Sequence, residues 1–182
     1  MTNTNTFARS LSDVGLAAWF GGTLANAVAL NKAAAPTGPG TAEAVAAGWK
    51  AWTPVNLAAI GAHVVGGTAV TFANKERLVG QRGVATVSLV RTGVLVAALA
   101  ATAYSRLVGQ RVISSPSEPV SDGTTPTADT DPAVAKAQRQ LSVLQWVVPA
   151  LTAVMLILNA FQGEQQRPTS VARGVVDRIV GN

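Results

Sequence analysis

The sequence predicts an all-α integral membrane protein: a four-helix bundle of antiparallel, up-down order with a short amphipathic helix at its C-terminal end. Three observations carry this prediction. Of 182 residues, 48% are AVILMFWYC and 13% are charged, about half the ~25% charge of an ordinary globular domain. The charges are clumped, which leaves four long stretches nearly free of them. Those stretches are apolar all round, whereas helices of a soluble bundle turn a polar face outward at every turn.

A hydrocarbon core about 30 Å thick takes roughly 17 to 25 helical residues to cross. The expected spans are residues 14–30, 52–73, 84–104 and 143–161, within a single membrane domain covering 1–182. Arg91 is the one formally charged side chain inside them. The first span has a rival explanation, because Arg9, the apolar run and Ala25-Asn26-Ala27 imitate a cleaved secretory signal. Asp13, Trp19, Gly21 and Gly22 make a poor signal core. A three-span remainder would also leave the chain ends on opposite sides, so the span is retained.

Trp49, Trp52, Tyr104 and Trp146 all fall at the edge reached by the first and third loops. Half-apolar, half-hydrogen-bonding rings favour that level. Lys75, Arg77 and Arg82 in the short second loop, with Arg167, Arg173 and Arg178 in the tail, face Lys32, Lys50, Arg106, Arg111, Lys136 and Arg139 on the other side. Short loops weigh most in the positive-inside rule. The expectation is a multi-pass protein of the cell (plasma) membrane with both termini in the cytoplasm.

Residues 114–132 are rich in Ser, Thr, Pro and Asp and hold one large apolar residue, Val120. Such a stretch buries too little to offset the entropy of ordering and is read as a flexible connector. Residues 36–40 form a turn cluster, after which Thr41 caps a short interfacial helix ending near Ala51. In the tail, 168–181, Val171, Val175 and Ile179 recur with helical spacing beside Arg173 and Arg178. That pattern describes an amphipathic helix able to lie on a leaflet or dock on protein. The hexapeptide RLVGQR occurs at 77–82 and again at 106–111. The copies bracket the third span and so lie on opposite faces, each expected to end a helix with snorkelling arginines and a breaking glycine.

Polar groups at membrane depth are functional suspects because they are costly there. Arg91 lies about 10 Å below its edge at about 1.5 Å per residue. Asp13 and Glu76 are the nearest carboxylates, both at the edge rather than within a span. His63, the only histidine, shares a face with Asn56, Gly67 and Asn74 and matches Arg91 in depth to about one turn. Asn26 from the first span and Gln145 from the fourth are placed to join them. Arg91, His63, Asn56, Asn26 and Gln145 therefore describe either a polar pocket for a headgroup or quinone, or an interhelical network that holds the bundle together. Small residues at Ala18, Gly22 and Asn26, and at Ala62 and Gly66, allow close helix approach. Pro149 is expected to kink the fourth span and free the Gln145 carbonyl.

Several chemistries are excluded. With no cysteine and one histidine, zinc modules, disulfide scaffolds and paired-histidine haem have no ligands. No nucleophile–histidine–acid set is available, and no Walker A, GxGxxG or HExxH motif occurs. The net charge of +5 is spread over loops on both faces, so nucleic acid is not an expected partner. No cofactor is expected, and membrane lipids, other membrane subunits or self-association are. The leading expectation is a non-enzymatic accessory or scaffolding subunit of a membrane complex. The alternative is a lipid- or quinone-binding protein, an enzyme included, centred on Arg91 and His63. A proton path or small transporter ranks third, for lack of intramembrane carboxylates.

Overall fold

The computed structural model describes residues 3–33, 41–73, 82–115 and 120–165. The 36–40 turn, all of the first RLVGQR copy but Arg82, and the 168–181 helix lie outside those residues. Four helices dominate. α1 comprises Asn3–Ala25, a π-helical turn at Asn26–Leu30 and a closing turn at Asn31–Ala33. α2 runs over Thr41–Ala73, α3 over Arg82–Ile113 and α4 over Pro132–Gln165.

Each helix contains a segment long and apolar enough to cross a bilayer: Thr6–Ala33, Ala47–Ala73, Thr86–Ile113 and Pro132–Gln162. These outrun the expected spans at one end or both. At about 1.5 Å per residue, helices of this length cover the hydrocarbon core and reach into the headgroup layer. Nothing in the sequence stops α2 between Ala51 and Trp52, so the expected interfacial helix is the first part of α2 rather than a separate element. Pro54 and Pro149 both sit inside continuous helices. Gly109 likewise does not end α3, which continues to Ile113. Its backbone is not in the left-handed conformation of a helix-ending glycine.

α1 and α2 pack closely and antiparallel, as do α3 and α4, and α1 joins the two pairs by packing on α4. α2 and α3 do not pack closely. Side chains span that seam instead, with Arg106 Nη1 of α3 donating to Thr53 Oγ1 of α2 at 2.7 Å. One core draws on all four helices: Leu16 and Trp19, Ala59, Ala98, Val148 and Met155. Two ends can be distinguished. The terminal end holds the start of α1 and the end of α4; the opposite end holds the α1–α2 and α3–α4 connections.

The α3–α4 connection is more structured than its composition suggests. β1, Val120–Asp122, pairs antiparallel with β2, Thr125–Pro126, in a two-stranded ribbon. Asp122 organises the turn, with Oδ1 accepting from the Thr124 N–H at 2.7 Å and Oδ2 from Thr125 Oγ1 at 2.9 Å. The ribbon is fastened to α1, because the Gly123 N–H donates to the Asn31 carbonyl at 3.1 Å. Asp131 then caps α4, accepting from the Ala133 N–H at 2.8 Å, with Pro132 at the first helical position. Side-chain hydrogen bonds thus give a stretch with one large apolar residue a local order that burial could not.

Candidate functional site

The polar residues at depth gather at two levels. At the terminal end, glycine brings α1 and α2 into backbone contact. A Cβ on Gly66 would stand 2.5 Å from the Ala8 carbonyl oxygen, and one on Gly15 would stand 2.5 Å from that of Ala59. Backbones this close let short side chains bridge them. Ser12 Oγ lies 3.2 Å from the His63 carbonyl and 3.0 Å from His63 Nδ1, and that nitrogen lies 2.9 Å from the Ser12 carbonyl. The mutual fit assigns the proton to Nδ1, which donates to the Ser12 carbonyl while the Ser12 hydroxyl donates to the His63 carbonyl. A protonated Nδ1 has no lone pair for the hydroxyl, so this serine–histidine pair is not an activated nucleophile. Both residues are buried, His63 almost completely.

Arg91 reaches this pair from α3. A Cβ on Gly67 would lie 3.3 Å from both Arg91 Nη2 and Ser12 Oγ, so the glycine leaves room for the guanidinium to approach α2. Its Nε is buried without a hydrogen-bond partner. The Asp13 carboxylate accepts from Asn159 Nδ2 of α4 at 3.1 Å. Asp13 follows Ser12 on α1, inside the long helical segment Thr6–Ala33.

The opposite end holds a neutral network. Asn31 Nδ2 donates to Gln145 Oε1 at 2.8 Å, and Asn31 Oδ1 accepts from Trp49 Nε1 at 3.0 Å. One amide thus ties α1 to α4 and α2 together. The π-helical turn makes this geometry available: the Asn31 N–H bonds to the Asn26 carbonyl five residues back. One extra residue in the turn rotates the end of α1 about its axis, and Asn31 is buried as a result.

Of the five residues expected to converge, the structure brings together His63 and Arg91 alone. Gln145 belongs to the Asn31 network, whose Trp49 lies about 20 Å along α2 from His63 at about 1.5 Å per residue. Asn56 and Asn26 fall between the two levels. Asn56 Oδ1 and Asn26 Nδ2 are buried and unpartnered, as are Trp19 Nε1, Trp52 Nε1 and Thr102 Oγ1. The close seat of the Trp52 ring against Gly22 and the Arg106–Thr53 bond set the helix registers. Those registers bring Trp19, Asn56 and Thr102 to about one height. The middle of the bundle therefore carries polar atoms of complementary type, donors and acceptors, that do not bond one another.

Sequence reasoning missed Ser12 and Asn31; it named Gly67 on the His63 face and Asp13 as a carboxylate near Arg91, without joining either to Ser12. Ser12 was cut off because the apolar count stops at the charge of Asp13. Asn31 sits five residues after Asn26, a π-helical spacing that a search for α-helical spacing passes over. Among the described residues, no group of three or more His, Cys, Asp or Glu is placed to hold a metal ion. No protein-family model, curated protein or solved structure matches this chain.

Proposed function

We propose that this chain is a small multi-pass protein of the cell membrane, with both termini cytoplasmic, acting as a non-enzymatic accessory or scaffolding subunit of a membrane complex. The observation that carries the reading is how the polar side chains at depth are used. The histidine that would head any catalytic set is engaged with Ser12, the side chain of each residue bonding the backbone carbonyl of the other, and Gln145 is engaged with Asn31. Groups engaged in this way hold helices together and are not free to act on a substrate.

The exposed side of α3 supports the same reading. This helix packs closely on α4 alone, and a Cβ on exposed Gly93 would meet open space. Ala97 and Ala100 follow on the same exposed side, a surface that a neighbouring helix can approach closely.

The test is native mass spectrometry of the protein extracted gently from its own membrane. Stoichiometric co-release with another polypeptide, or with a second copy, is the expected result. A chain that emerges singly in every gentle detergent would overturn the proposal.

A second reading rests on a charged group with a buried, open donor. Arg91 Nε is buried and unpartnered close to Ser12 and Gly67, a setting that suits an acceptor oxygen such as a quinone carbonyl or lipid phosphate. Under that reading a small molecule of defined mass accompanies the single chain and is lost on Arg91→Leu.

A further inference from the structure

A groove of about 400 Å³ opens between α3 and α4, lined by Tyr104, Lys136, Arg139, Gln140, Val143 and Leu144. We propose that it holds the headgroup of an anionic phospholipid. The phosphate would sit between Lys136, Arg139 and the Tyr104 hydroxyl, with an acyl chain descending along Val143 and Leu144. The proposal rests on the four helices spanning a bilayer, but not on the subunit role, because a lipid site serves a monomer equally well.

The argument starts from spacing. Lys136, Gln140, Val143 and Leu144 follow one another at helical intervals on α4, so a single face changes from cationic to apolar within about two turns. The change falls where the expected fourth span begins, at residue 143, and Tyr104 closes the expected third span on the facing helix. A phospholipid has the same order along its length, charge above and hydrocarbon below. No acidic residue lines the groove, and neither Lys136 nor Arg139 takes a side-chain partner among the described residues. Tyr104 is already oriented, its oxygen accepting from Gln140 Nε2 at 3.0 Å, which leaves the hydroxyl proton to donate. Two cations and a hydroxyl donor match a phosphodiester, and charge-assisted bonds of this kind are the strong ones. A zwitterionic lipid brings its own cation into the groove and loses part of that advantage.

The test uses the full chain in nanodiscs containing equal amounts of phosphatidylglycerol and phosphatidylcholine, read by native mass spectrometry. The expected result is one phosphatidylglycerol retained per chain in preference to phosphatidylcholine. The double substitution Lys136→Gln with Arg139→Gln should weaken that retention about tenfold, and Tyr104→Phe by less. Arg111→Gln removes an exposed cation at the same end but outside the groove, and should leave retention unchanged. Equal retention of the two lipids by the unaltered protein would overturn the proposal without recourse to any variant. An equal loss on Arg111→Gln would overturn it in favour of diffuse surface charge. Displacement by inorganic phosphate at matching concentration would overturn it in favour of a free-anion site.

Discussion

The two ends of the bundle solve the same problem with different chemistry. At the connection end, a neutral amide, Asn31, bonds to Gln145 and Trp49, and no charge is involved. At the terminal end, Ser12 and His63 bond across a backbone contact, and a partly buried arginine and a carboxylate lie beside them. The first arrangement closes on itself. The second leaves Arg91 Nε without a partner. The difference teaches that fastening helices inside a bilayer takes only neutral groups, so a charge left over beside a fastener is where any function beyond packing is to be sought.

The two ends also differ in what a side chain added at the helix contact would meet, backbone at one and a side chain at the other, and the largest expected effect tests that difference. Gly66→Leu drives a side chain into the backbone of Ala8 and Ser12, which cannot yield. It should cost about 3 kcal/mol or prevent folding, measured as thermal unfolding in detergent. Gly48→Ala, at the connection end, meets the flexible tip of Leu30 and should cost less than about 1 kcal/mol. Equal losses would erase the contrast.

Next in size is Asn31→Leu, which leaves both Gln145 and Trp49 without their partner. It should cost about 1 to 2 kcal/mol, with His63→Leu at the other end at or below that figure. Smaller and opposite in sign is Gln138→Met. Gln138 is fully buried and neither atom of its amide has a partner, so an apolar side chain of similar length should stabilise by about 1 kcal/mol. The smallest effect is expected for Arg91→Leu, within about 0.5 kcal/mol of zero or slightly stabilising, because it removes a cation whose burial is only partly compensated.

The fold was more legible than the site. Charge-free length and all-round apolarity depend only on composition and period, so four long apolar helices could be read from the letters. Their ends could not, because helices extend past the apolar core until capping or a turn stops them, as Asp131 and Pro132 do for α4. Counting along the helices put His63 and Arg91 near one level, and the structure seats the Arg91 guanidinium close to Gly67 and Ser12. Counting did not place Gln145, because which groups meet across helices depends on rotation, and the π-helical turn at Asn26–Leu30 rotates Asn31 toward it. The Asp122 turn and its attachment to Asn31 were also invisible to a reading based on apolar content, since hydrogen bonds carry them.

The most direct test of the central claim, that the polar groups at depth fasten helices rather than bind a ligand, is Arg91→Leu. The variant and the unaltered protein would be extracted from the same membrane and compared by thermal unfolding and native mass spectrometry. The account predicts an unchanged or higher melting temperature and the same bound polypeptide. A variant that melts normally but has lost a small molecule carried by the unaltered protein would contradict it.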